Sequence, residues 1–150
     1  MLFSYGTACL SWIVQKCPEY ISKLIFLDPI CFALFEPYVV YNFVYRTPEK
    51  LPNLLMYYFI CRELGISYVV SRHFWWTQNN LYLEQIRQCS KANLPVFVLL
   101  ASHDCIINPH FIRDYLKENG IDHYWAKGLL HGAFMYDTKS WHQISQWISA

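Results

Sequence analysis

The sequence predicts an α/β fold with a parallel sheet, on three observations. Two short, dense apolar runs, Lys23–Leu27 and Val96–Leu100, have the length and composition of strands buried on both faces. Segments with helical spacing or helix caps lie on either side of them. A third strand candidate, Asp122–Ala126, follows one of those helices, and such alternation implies a parallel sheet with right-handed crossovers.

The elements follow in order. Ala8, Trp12 and Ile13 recur at helical spacing within Gly6–Cys17, and Pro18 marks the end of that helix. The run Lys23–Leu27 stops at Asp28-Pro29. Residues 30 to 90 hold the densest aromatics, from Tyr38, Tyr41, Phe43 and Tyr45 to Phe74-Trp75-Trp76, and Pro37, Pro48 and Pro52 punctuate them. They read as several short helices with irregular links, with Asn79 expected to cap one that runs to about Gln88. After Val96–Leu100 comes the loop Ser102-His103-Asp104. Asn108 caps a helix opening at Pro109, and Gly120 suits its C-terminal end. His131 sits in the loop after Asp122–Ala126. A last amphipathic helix, about Ser140 to Ser149, carries Trp141, Ile144, Trp147 and Ile148 on one side.

Composition narrows the function classes. A chain of 150 residues suits one domain, and 55% hydrophobic against 15% charged residues is the reverse of a disordered chain. Aromatics at 19% call for an apolar pocket, a membrane-facing patch or a packing partner. The formal net charge is +1 and no Lys/Arg cluster occurs, which argues against nucleic-acid binding. The six cysteines, Cys9, Cys17, Cys31, Cys61, Cys89 and Cys105, form no C-x-x-C pair; they read as small core residues of a protein in a reducing compartment. The start lacks the basic and apolar regions of a secretory signal, and the apolar stretch Ile30–Tyr45 is broken by Glu36-Pro37 and Asn42. The expectation is an intracellular protein, with peripheral membrane contact left open. No His/Cys/Asp set has metal-ligand spacing and no Gly-rich phosphate loop occurs, so neither a metal nor another cofactor is expected.

Chemistry concentrates at three places. Ser4-Tyr5-Gly6-Thr7 opens the first helix. A serine hydroxyl needs a base beside it and donors for the oxyanion it creates, and a sharp turn into a helix exposes the hydroxyl near the positive helix end. Gly6 is expected to let two chain segments approach closely. Asp104 and His131 each lie just past a strand, at the sheet end where function collects.

In this context Leu2-Phe3-Ser4-Tyr5-Gly6 resembles the G-x-S-x-G nucleophile elbow of the α/β-hydrolases, with Leu2 at the first glycine position. Ala101-Ser102-His103-Asp104-Cys105-Ile106 resembles the family's acid loop, and Leu130-His131-Gly132-Ala133-Phe134 its histidine loop, in the family's order Ser, Asp, His. The resemblance covers nearly the whole chain. It implies a partial α/β-hydrolase fold: the last three parallel strands with flanking helices, and a helical, aromatic-rich cap inserted over about 30–90. Residues 1–150 would then be an incomplete domain that starts at the elbow. The family's upstream strands, and the loop that supplies the second oxyanion donor, are expected outside it. The implied site has Ser4 as nucleophile, His131 as base, Asp104 as acid and the Tyr5 backbone N–H as an oxyanion donor. The implied function is a serine hydrolase acting on a carboxylic ester, with a small-molecule or lipid-like substrate. The rival reading is an inactive remnant that acts through a partner chain or a membrane surface.

Each residue also has a plainer role open to it. Ser4 is placed as a helix N-cap would be, Asp104 as a loop carboxylate, and His131 as a solvated loop histidine. Asp28 is the rival acid, although Pro29 after it reads as a strand-end turn. His103 and His73 suit rim or packing positions. His110, His123 and His142 suit solvated surfaces.

Overall fold

A computed structural model describes residues 1–48, 51–88 and 94–150, with the Pro52 side chain left out. Cys89 lies outside the described residues. Four parallel strands form one sheet in sequence order: β1 (Leu2–Phe3), β2 (Leu24–Leu27), β3 (Val96–Ala101) and β4 (His123–Ala126). The helices are α1 (Gly6–Lys16), α2 (Pro37–Val40), α3 (Leu51–Met56), α4 (Leu64–Arg72), α5 (Leu83–Gln88), α6 (Pro109–Glu118) and α7 (Thr138–Ser149). Wider π-type turns, Tyr41–Tyr45 and Tyr57–Cys61, prolong α2 and α3.

The α/β expectation holds, with one strand more than expected. Leu2 and Phe3 pair with Phe26 and Leu27, so the stub before Ser4 is itself a strand. Two residues carry no periodicity, which is why the sequence pattern misses it. Every residue of β2 is buried, as are Val98, Leu99, Leu100 and Ala101 of β3. Helices cover both faces: Phe26, Val98 and Leu100 pack in one cluster with α1 and α6, while Ile25, Leu27 and Leu99 pack in another with Ile144 and Trp147 of α7. This two-sided burial is what makes a parallel strand uniformly apolar rather than alternating.

Several boundaries shift for local reasons. Lys23 lies just outside β2, and its ammonium donates to the Trp147 and Ile148 carbonyls, at 2.8 and 3.1 Å, where α7 ends. Asn108 caps α6 as expected, accepting from His110 and Phe111 N–H. Gly120 follows with φ +67°. The α7 helix starts earlier than expected because the Asp137 carboxylate accepts the Ser140 N–H at 2.8 Å. Asn79 caps nothing: its amide donates to the Trp75 carbonyl, and the α5 start is served instead by Gln85, whose Oε1 accepts from Tyr82 N–H. Cys31 and Cys61 are buried, but Cys9 and Cys17 are exposed, on the outer side of α1 and just past its end. Among the described residues, no single helix is long and apolar enough to cross a membrane.

Candidate functional site

The site forms where β1, β2, β3 and β4 end. Ser4 follows β1 directly, and its N–H donates to the Leu27 carbonyl at 3.0 Å, so β2 fixes its height. Its φ is +48°, a left-handed conformation that a non-glycine residue rarely adopts. Such strain persists only where the surroundings over-determine it. Here the helix start does so: Thr7 N–H and Thr7 Oγ1–H both donate to the Ser4 carbonyl, at 2.9 and 2.5 Å. Thr7 is fully buried, and its hydroxyl in turn accepts from Ile30 N–H at 3.1 Å. The close approach expected at Gly6 does not occur, since a Cβ there would meet Leu2 only at 3.5 Å, an ordinary contact.

The three separated residues come together. His131 Nε2 lies 2.7 Å from Ser4 Oγ, and His131 Nδ1 lies 2.5 Å from Asp104 Oδ2. With the carboxylate able only to accept, Nδ1 carries the proton and Nε2 accepts from the serine hydroxyl. The other Asp104 oxygen, Oδ1, accepts from Ile106 and Ile107 N–H at 2.8 and 3.1 Å, which sets the side chain's direction. That loop is also tied to the segment after β2, where the Tyr38 hydroxyl accepts from Asn108 N–H at 2.8 Å and the Asn42 amide donates to the Ile106 carbonyl. The His131 ring is almost wholly enclosed and packs 5.5 Å from the Phe3 ring. Gly132 beside it has φ +75°, and a Cβ there would come within 3.1 Å of Phe3. The positive φ favours glycine here, and a Cβ would need the Phe3 ring to give by a few tenths of an ångström.

Burial alone would discharge His131. The Asp104 carboxylate, through its charge and hydrogen bond, together with Asp28, outweighs burial and raises the imidazole above its ordinary 6.5. Tyr5 is the first residue of the helix-entry turn, so its N–H lies outside the ladder of α1, at the positive end of the helix.

Asp28 is not the acid that meets His131's ring nitrogen. It is fully buried, with φ +42°, and its oxygens accept from Ala101 N–H at 2.7 Å and Gly132 N–H at 2.8 Å. Burial raises its carboxyl to about 6, opposed by His131 and by those two N–H groups. Among the described residues, Asp28, Asp104 and His131 bring three ligand-type atoms within 4.8 Å of one another, but these atoms already bond to each other or to backbone N–H groups.

A narrow apolar slot of about 20 Å³ opens beside Ser4 and Tyr5, walled by Ile30, Val39, Phe43, Val70, Phe74 and Trp76. A larger, more polar cavity of about 500 Å³ lies beyond Asp104, between Arg46, Asn53, Tyr57 and His103. His103 is exposed and bonds to Ser102 Oγ. His73 is exposed on the rim of a groove with Tyr5, Phe74 and Trp75. His110 and His142 are exposed, while His123, expected to be solvated, is half-buried.

This arrangement can polarise a serine hydroxyl, accept its proton and hold the resulting imidazolium against a carboxylate. Sequence reasoning missed Thr7, whose helical position gives no sign of its bonds to Ser4 and Ile30. It also undervalued Asp28, although its place at the end of a strand flagged it. No family model matches the chain, and no curated protein matches it.

Proposed function

We propose that this chain is a serine hydrolase of the α/β-hydrolase type that acts on carboxylic esters. The observation that carries the reading is the hydrogen-bonded series from Ser4 through His131 to Asp104, built from residues 127 and 27 positions apart in sequence. Beside it stand a strained serine at a helix entrance and an imidazole with both nitrogens engaged. In the proposed reaction Ser4 Oγ attacks the ester carbonyl while His131 Nε2 takes its proton. The tetrahedral oxyanion faces the Tyr5 N–H, His131 protonates the departing alcohol, and water then repeats the sequence on the acyl-serine.

The slot beside Ser4 is taken as the acyl side. One water needs about 10–15 Å³ of such space, so a slot of about 20 Å³ suits an acetyl methyl or little more. Short acyl esters therefore fit better than the lipid-like ones the aromatic content suggested. The test is an acyl series of p-nitrophenyl esters from acetate to palmitate, with mass spectrometry of Ser4. The expected result is acyl-Ser4 from acetate and a steep fall in kcat/KM with chain length. No acylation of Ser4 by any member would overturn the hydrolase reading. Equal acylation by palmitate would overturn only the short-acyl preference.

A second reading, docking to a partner chain or membrane surface, draws on the exposed apolar side chains of Leu51, Leu55, Tyr58, Phe59, Leu64 and Tyr68. Co-sedimentation with anionic vesicles that is lost in a Phe59→Ser, Leu64→Ser variant would favour it. A monodisperse chain indifferent to vesicles would count against it.

A further inference from the structure

Two loops must stay in register for the Ser4–His131–Asp104 series to exist: the one after β3 that carries Asp104 and the one after β4 that carries His131. The loops meet directly, where His103 N–H donates to the Leu129 carbonyl and Gly128 N–H donates to Ser102 Oγ, and a side chain from β2 also reaches the backbone at the end of β3 and beside His131. Asp28 stands at the end of β2, and its own N–H is fixed to the Leu99 carbonyl at 2.9 Å. Its Oδ1 accepts the N–H of Ala101, the last residue of β3 before the Asp104 loop; its Oδ2 accepts the N–H of Gly132, the residue after His131. These partners lie 73 and 104 positions away in sequence. A neutral side chain could serve one of these N–H groups well, but only a carboxylate offers two acceptors at this spacing.

From this geometry we infer that Asp28 is a positioning residue that holds the Asp104 and His131 loops in register with Ser4, an inference that rests on the hydrolase reading for its catalytic meaning. The cost is visible in the fold. A wholly buried carboxylate with a left-handed backbone is unfavourable, and nothing in the packing of β2 requires it, since Leu24–Leu27 are apolar throughout. The charges that act on Asp28 are His131 and Asp104. Asp28 in turn adds a negative charge that favours the His131 imidazolium. So the residue does two things for His131: it fixes the backbone beside the ring and supports the charge the ring would acquire.

The test combines wild-type NMR with the isosteric variant Asp28→Asn. In ¹³C,¹⁵N-labelled wild type, the Ala101 and Gly132 amides should each show a through-hydrogen-bond coupling to the Asp28 carboxyl carbon. In folded Asp28→Asn, labelling of Ser4 by a fluorophosphonate should slow by about 10²-fold, the scale of a misplacement of about 1 Å. The midpoint of His131, followed through its ring nitrogens, should move to lower pH because a negative charge has gone. Absence of both couplings in folded wild type would overturn the proposal. So would a folded variant that labels at the wild-type rate with an unmoved His131 midpoint, or one that only loses thermal stability. If Asp28→Asn does not fold, the wild-type couplings decide. If wild type itself takes no label, the hydrolase reading falls, while the couplings and the His131 midpoint still decide whether Asp28 joins the loops.

Discussion

At the scale of single residues, the site is a balance between burial and charge. His131 is enclosed, yet its imidazole is raised because Asp104, with help from Asp28, more than offsets the loss of solvent. A base must be unprotonated to act, so the acid limb of kcat/KM should lie above pH 6.5, its ordinary value, and activity should favour the alkaline side. A limb below that value would contradict the arrangement. Replacing Asp104 by Asn should leave the fold intact and cut the labelling rate by about 10³–10⁴-fold, because the imidazole loses the partner that fixes its tautomer. Asp28 carries a stability signature of the opposite kind from a salt-bridged acid. Its folded value, about 6, lies above the unfolded 3.8, so its contribution is full below 3.8 and is lost as pH rises through 6. The melting temperature of wild type minus that of Asp28→Asn should therefore fall between pH 4 and 7, as read by scanning calorimetry. The residues Ser4, Asp104 and His131 were legible in the sequence because each sits just past a strand in a recognisable local pattern. The part played by Asp28 was not, because it depends on backbone N–H groups far along the chain, and backbone partners leave no trace in residue types.

At the scale of elements, caps and strand ends aim the side chains. Thr7 links the entrance of α1 to Ile30 through a buried hydroxyl that both donates and accepts. Thr7→Val keeps the shape but leaves Ile30 N–H without its acceptor, so it should cost about 1–3 kcal/mol in a denaturant titration. Gly132 combines φ +75° with a Cβ position 3.1 Å from the Phe3 ring. Gly132→Ala should cost about 1–3 kcal/mol and disturb the His131–Phe3 contact, which a slower labelling rate would register. Strands β2 and β3 and helix α6 were readable because burial, or a cap with proline at the first turn, writes a clear pattern; β4, half-buried except at Ala126, was readable from its place after α6. Strand β1 was too short for any pattern. The Asn79 cap failed because an asparagine near a helix has other partners within reach, and here the Trp75 carbonyl takes its amide.

At the scale of the whole molecule, parallel order brings four strand ends to one edge, and the site lies where the segments leaving those ends meet. Register does the alignment: Leu27 pairs with both Phe3 and Leu99, so Ser4 and Asp28 leave β1 and β2 at one level, while β3 runs two residues further and ends at Ala101 beside Ala126 of β4. The helices between β2 and β3 reach this level from the side, touching the loop after β3 through Tyr38 and Asn42 and closing the slot beside Ser4. The overall α/β class was legible from composition and alternation alone. The size of the slot was not, because it depends on how aromatic side chains from separate helices meet.

The most direct test of Ser4 as an activated nucleophile is labelling of the purified chain by a fluorophosphonate, read by peptide mass spectrometry beside a Ser4→Ala control. The expected result is one modified residue, Ser4, with all labelling lost in the control. A folded chain that takes no label, or takes it equally in the control, would contradict the assignment of Ser4, His131 and Asp104 as a working triad.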